Sequence, residues 1–297
     1  MTRSAYLIFN PAAGQNDSQN DLAKIQTILE PAIQLEIQQT AKGKSVAQLV
    51  AQALEKGAEM IIASGGDGTL SKTSEALIGT GIPFGVIPRG TANAFAAAMG
   101  IPQSIEAACE IILAGKTRAI DAASCNGQPM VLLTGIGYEA ETIAQADRTA
   151  KNRFGVLAYI LSGIRQLRRM RSFKAEIETE DQSLKLLAVA ITIANAAPTT
   201  SVLAQGAADV IADDGLLDLT IVTPGDRQSF IAALFQLLRS GFNHQAVQRE
   251  DVIYLRAKRI RVSAKPQQKV IIDGNLRGTT PVEIECLPNG LTILVPA

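Results

Sequence analysis

The chain of 297 residues has no tryptophan and one histidine, His244. A single histidine excludes a multi-histidine metal centre. Its polar setting, Gly241-Phe242-Asn243-His244-Gln245, reads as surface, so acid–base chemistry falls to carboxylates, lysine or tyrosine. The three cysteines (Cys109, Cys125, Cys286) have neither paired nor metal-type spacing and read as reduced, buried thiols. Net charge is also missing: 28 lysines and arginines balance 28 aspartates and glutamates, so no global field draws nucleic acid. No apolar run approaches the ~20 residues of a membrane span. The N-terminus shows no signal peptide, and a soluble, cytoplasmic protein is expected. The Walker A pattern is absent. The dinucleotide pattern fails too, because Ser71 stands where its third glycine belongs.

Aliphatic residues are what the chain has in quantity. At 47% hydrophobic and only 4% aromatic, the core must be alanine, isoleucine, leucine and valine. Such a composition suits a parallel sheet flanked by helices, with further β structure. The first third alternates strand and helix signals: strands at 6–9, 35–40, 60–64 and 84–87, helices at 18–29, 45–56 and 69–78, and a further helix after Asn93. Repeated βα units imply right-handed crossovers and a Rossmann-like parallel domain over 1–121. Beyond it, short strand-like runs at 130–133, 174–179, 186–194, 217–222, 252–255, 260–263, 269–272 and 292–295 suggest a β-sandwich-like domain. Helical interruptions fall near 139–169 and 227–240. This second domain covers 122–297, with the extreme C-terminus free to pack back on the first.

The segment Ala63-Ser64-Gly65-Gly66-Asp67-Gly68-Thr69-Leu70 follows the apolar run Met60–Ile62 and reads as strand, tight turn and helix start. That arrangement offers backbone N–H groups and a helix dipole to an anion, most often phosphate. Gly65, Gly66 and Gly68 allow close approach because no Cβ intervenes. Asp67 either holds magnesium beside a triphosphate or, like Thr69, merely caps the helix. Turns at 10–14, 64–69 and 88–93 all follow strands, at the sheet edge where α/β ligands sit. Their convergence favours the phosphate reading and brings Gly90 and Asn93 into the same candidate site.

In order and spacing, Asn10-Pro11-Ala12-Ala13-Gly14, Ser64–Thr69 and Pro88-Arg89-Gly90-Thr91-Ala92-Asn93 resemble the bacterial diacylglycerol and related lipid kinases. These share a nucleotide-binding fold with sphingosine and NAD kinases. Asp213-Asp214-Gly215-Leu216-Leu217-Asp218 and Ile272-Asp273-Gly274 extend the resemblance to nearly the whole chain. It implies an NAD kinase/diacylglycerol kinase-like fold and an ATP- and magnesium-dependent phosphotransferase acting on a lipid hydroxyl. Asn10, Pro11, Gly14, Thr40, Gly66 to Lys72 and Thr91 would line ATP. Asp67 would act through magnesium, supported by Asp121. Asp214, with backbone oxygens of Ile211 and Leu216, would hold a structural metal. Asp273 or its neighbour would be the base, beside the acceptor hydroxyl; its Asp-Gly pair is equally a hairpin signal.

Three positions depart from the family pattern: Asn275 where glutamate is common, Ala94 where aspartate is usual, and Ser71-Lys72 in place of Asn-Glu. Asparagine accepts no proton at neutral pH, whereas phosphoryl transfer leans more on positioning than on a strong base. Lys72 would then add positive charge near the phosphates. A catalytically impaired nucleotide- or lipid-binding homologue, or a kinase of a soluble polyol or dinucleotide, stays open. Between Arg148 and Lys174 stand eight basic residues and no acidic one. This reads either as a basic amphipathic helix for an anionic membrane or as a solvated helix face. Expected partners are a lipid substrate at the inner membrane face and no nucleic acid. Peripheral membrane contact and a homodimer are left open.

Overall fold

The computed structural model describes residues 3–14, 17–41, 43–137, 171–198, 201, 203–204, 210–224, 232–233, 236–237 and 249–296. His244, the helical reading at 139–169, part of that at 227–240 and all but the last residues of the basic stretch lie outside them. Contacts divide the chain into two units, Met1–Ile120 with Asn289–Ala297, and Asp121–Pro288. The second unit thus opens at Asp121, one residue before the sequence boundary, and the last segment returns to the first unit.

The first unit runs β1 (Arg3–Phe9), α1 (Ser18–Leu29), β2 (Ile33–Gln39), α2 (Val46–Glu55), β3 (Ile61–Gly65), α3 (Asp67–Leu77), β4 (Phe84–Pro88), α4 (Ala94–Ala98) and α5 (Ile105–Ala114). Its strands pair in parallel in the order β2-β1-β3-β4. The helices start where the chain supplies caps. Asp17 accepts the Gln19 amide at α1, Ser45 and Gln48 form a capping box at α2, and Ser104 accepts the Ala107 amide at α5. Gly115, at φ 69°, ends α5 in the left-handed conformation that glycine tolerates. Residues 25 and 29 of α1, and 46, 49, 50 and 53 of α2, turn their apolar side chains inward at helical spacing. The strand order reverses direction between β1 and β3, which opens a crevice at their carboxyl ends.

β5 (Thr117–Cys125) carries the chain into the second unit. There follow β6 (Gln128–Met130), β7 (Leu133–Gly137), β8 (Phe173–Glu178), β9 (Ser183–Ala188), β10 (Ala190–Ala194), β11 (Leu217–Val222), β12 (Val252–Ala257), β13 (Arg259–Lys265), β14 (Lys269–Ile272), β15 (Asn275–Thr279) and β16 (Val282–Leu294). One antiparallel sheet has the order β12-β11-β10-β7-β14-β15. A second layer pairs the first part of β16 with β13, β13 with β8, and β8 with β9, all antiparallel. Phe173, Ile177 and Val262 from this layer pack with Ile136, Ile191 and Leu219 from the other in one core, a sandwich. The far end of β16 lies parallel to β4 in the first unit, Ile293 beside Phe84. The run 186–194, read as one strand, is two: Val189 separates β9 from β10, and they belong to different sheets.

Candidate functional site

The three sequence-selected turns of the first unit meet. Arg89 is their hub. Its backbone amide donates to Gly65 O (2.7 Å), and its guanidinium donates to Asn10 O (3.0 Å), Ala13 O (2.8 Å) and the Asp21 carboxylate (2.9 Å). The guanidinium also lies 4.3 Å from the Phe9 ring centroid. Both partners of this ion pair are buried, with 2% and 10% side-chain exposure. Asn10 adds a bond from its side chain to Thr69 Oγ1 (2.8 Å) and one from its amide to Ser64 O (2.9 Å). Thr40 closes β2 with its amide on Phe9 O (2.9 Å). A Cβ on Gly90 would stand 2.7 Å from Gly66 Cα, so only glycines let these two turns touch. Arg89 and Asp21 were not among the sequence candidates. The available signal was Asp21 itself, a carboxylate spaced four and eight residues before Ile25 and Leu29 on an apolar stripe.

Asp67 opens α3, yet its carboxylate serves the neighbouring turn. Its oxygens accept the amides of Asn93 (3.1 Å) and Ala94 (2.6 Å), at the start of α4. Asn93, at φ 47° and fully buried, grips Gly90 N (2.9 Å) and O (2.8 Å) with its side chain. These two residues and Thr69, expected to touch nucleotide, are therefore engaged in building the loop. Other candidates remain outward. Pro11, Gly14, Gly68, Lys72 and Thr91 are exposed, and Gly65 sits behind them with no room for a Cβ beside Thr69. The amides of Thr69 and Leu70 both return to Gly66 O, which leaves those of Asp67 and Gly68 without a partner among the described residues.

In the second unit Asp273, φ 46°, and Gly274, φ 76°, form a two-residue turn joining β14 to β15, Ile272 opposite Asn275. The Asp273 carboxylate accepts the amides of Val131 (2.8 Å), Leu132 (2.9 Å) and Leu133 (2.9 Å). Burial pushes this carboxyl above its usual range, against the three amides that pull it down. A carboxylate so fully engaged anchors the hairpin to the entry of β7; taking a proton from substrate would require surrendering those bonds. Asn275 is exposed, and its side chain donates to Asp273 O (3.1 Å).

Asp214, the side chain expected at a metal, lies in a polar cluster. Asp214 pairs with the Arg256 guanidinium and accepts the Leu216 amide (3.1 Å), while Asp121 accepts the Gly215 amide (2.6 Å). Ile211 is 42% exposed. Among the described residues, no three His, Cys, Asp or Glu side chains cluster to hold a metal. Asp218, buried on β11, accepts the Tyr254 hydroxyl and lies 3.2 Å from Arg256 Nε. Burial pushes the Asp218 carboxyl up, opposed by that hydroxyl and by Arg256.

These free first-turn amides lie at the carboxyl edge of a doubly wound sheet, where α/β proteins take their ligands. Comparison with known proteins narrows the class. Residues 4–125 match the diacylglycerol kinase catalytic domain, and 133–295 the YegS C-terminal NAD kinase beta sandwich-like domain. The chain belongs to this diacylglycerol kinase and YegS-type lipid kinase family. It is 28% identical to a diacylglycerol kinase of Bacillus subtilis, over 99% of this chain and 97% of that one. A probable lipid kinase YegS-like of Stenotrophomonas maltophilia is 29% identical, covering 98% and 96%. An uncharacterised Synechocystis protein is 44% identical over 99% of this chain and 71% of its own length. Among solved structures, a putative diacylglycerol kinase from Bacillus anthracis superposes with a TM-score of 0.81 at 27% identity, covering 99% and 97%. No helix among the described residues is long and apolar enough to cross a membrane.

Proposed function

We propose that the protein transfers the γ-phosphoryl group of ATP, with magnesium, to the hydroxyl of a lipid such as diacylglycerol, in transient peripheral contact with a membrane. Gly68 carries the nucleotide reading. It lies in the first turn of α3, its backbone is not left-handed, and beyond its own helical turn no described atom comes within 4 Å of where its Cβ would stand. Glycine in a helix costs about 0.5–1 kcal/mol against alanine, so nothing in the protein itself recommends it there. The space suits a phosphate against the free amides of Asp67 and Gly68, with exposed Lys72 one turn on.

Asp67 is the acid available to a magnesium ion borne on the phosphates, since the described residues offer no multi-carboxylate cage. When bound, magnesium would neutralise charge on the transferring group. Asn10, Gly66 and Gly90 hold the turn that receives the phosphates; Asp273 positions the hairpin in the second unit. Family membership supports a lipid acceptor. The engagement of Asp273 and the presence of Asn275 favour a second reading, a homologue that binds nucleotide and lipid with weak turnover.

Gly68→Ala tests the reading, beside ATP consumption with magnesium across a lipid panel. Alanine should leave thermal stability unchanged or raise it while weakening ATP at least ~10-fold, the loss of a charge-assisted amide contact. A variant that binds ATP like the parent removes the nucleotide from this turn. Tight ATP binding without turnover on any lipid would favour the second reading.

A further inference from the structure

The layer of β16, β13, β8 and β9 turns Phe173, Ala175, Ile177, Ile260 and Val262 into the sandwich core, so alternate residues face outward. Register sorts that outer face into cross-strand rows. Arg259 opposes Glu285; Glu283, Arg261, Glu178 and Ser183 stand side by side; then come Ser263, Glu176 and Lys185. Each cation in these rows has its acid. Arg259 reaches Glu285 (2.9 Å) and Glu283 (3.6 Å), Arg261 reaches Glu178 (3.7 Å), and Lys185 reaches Glu176 (2.9 Å). The last row departs from this pattern. It runs Lys265, Lys174, Leu187, with no acid in it.

Lys174 and Lys265 are both exposed, and neither has an ion-pair partner among the described residues. Like charges directly opposite each other weaken a sheet, so folding alone does not recommend this pair. Leu187, in the same row, is 47% exposed where a solvated face would carry a polar side chain. All three border an open depression of about 470 Å³, which Lys185 and Ser263 also line. Arg171, exposed just before β8, is with Lys174 a described member of the basic stretch noted in the sequence.

We propose that this end of the outer face docks on an anionic lipid bilayer through Lys174, Lys265 and Leu187. The proposal rests on the lipid-kinase reading above and gives its membrane contact a place on the chain. A bilayer with anionic headgroups is charged outside and apolar beneath. The lysine heads meet its phosphates, while their stems and the leucine enter the acyl boundary. A small soluble anion leaves Leu187 unused. A second copy of the chain would set one cationic row against another.

The test sediments the full chain with phosphatidylcholine vesicles, with and without phosphatidylglycerol, at low and high salt. The parent should prefer the anionic vesicles, and salt should weaken that preference. One lysine near an anionic surface contributes ~5-fold, so Lys174→Gln combined with Lys265→Gln should weaken binding to phosphatidylglycerol vesicles ~25-fold. Leu187→Ser should weaken binding to both vesicle types about three- to tenfold. Arg261→Gln removes the same charge from a paired row and should bind like the parent. These side chains are exposed, so circular dichroism should show every variant folded. Turnover of vesicle-borne lipid should fall in the double variant, whereas turnover of detergent-dispersed lipid should hold. Equal binding of parent and double variant to anionic vesicles overturns the proposal, as does a parent with no preference for anionic lipid. Soluble polyglutamate bound as tightly as the vesicles would give the face to an acidic protein, and self-association lost in the double variant would give it to a second copy; either overturns the bilayer. Vesicle binding that depends on the two lysines, without turnover of any lipid, keeps the docking face and removes the kinase reading instead.

Discussion

Arg89→Met tests whether one buried cation organises the three turns at the edge of the first unit's sheet. Methionine keeps much of the side-chain bulk over Phe9 but strands the Asp21 carboxylate, whose side chain is only 10% exposed. Breaking a buried pair by removing one partner costs about 3–5 kcal/mol. The Asn10 and Ala13 carbonyls also lose a donor. They lie in a turn whose Pro11 and Ala12 are exposed, so water replaces much of that loss. The lost cation–π contact adds about 0.5–1 kcal/mol, and these terms are not additive. The expected net is again about 3–5 kcal/mol, a large share of the about 5–15 kcal/mol that holds a domain. Adding Asp21→Asn removes the stranded charge and should recover about 2 kcal/mol. Tryptophan fluorescence is not available to this chain. Hydrogen exchange read by mass spectrometry on peptides of the first unit suits the comparison, because it does not require both units to unfold together. A single variant that costs under about 1 kcal/mol, or a double no better than the single, would refute the idea that this ion pair carries the turns.

Three further outcomes are expected. Gly90→Ala, whose new Cβ would lie 2.7 Å from Gly66 Cα and 2.6 Å from Asn93 Oδ1, should lower melting temperature and ATP affinity together, unlike Gly68→Ala; a calorimetric scan with ATP titration separates them. Asp273→Asn cannot satisfy all three amides of 131–133, and urea titration should show a loss of about 1–3 kcal/mol, with a change in kcat far larger than that loss pointing to a proton-transfer role instead. Glu106, paired with Lys24, is held down to about 2 from 4.5. Because the folded value is depressed, its contribution is complete above pH 4.5 and vanishes as pH falls through about 2, so Glu106→Gln should flatten stability in that acid window alone, as followed by circular dichroism.

Where local chemistry decides structure, the sequence was transparent. α1 begins after Asp17 and β11 spans 217–222, as the cap and the apolar run dictate. Uniform hydrophobicity hid the break at Val189: the apolar letters run on unchanged from β9, which alternates exposed and covered residues, into β10, which is buried throughout. β15 went unread for the opposite reason: every residue in it is exposed, and pairing with β14 alone makes it a strand. Within the site, the glycines and the meeting of three turns were legible, since both follow from spacing. The partner of Asp67 was not. Its two amides lie 26 and 27 residues away and reach it only once β3 and β4 stand side by side. Arg89 and Asp21, 68 residues apart, are hidden by the same distance.

The return of residues 289–296 to the first unit has a consequence for synthesis. β4 waits for the strand beside it, Ile293 opposite Phe84, until the whole second unit has been made. Throughout that interval the nascent first unit carries an open flank, a ready template for wrong pairing. Clipping the tail after Pro288 would therefore injure the half of the molecule that was made first.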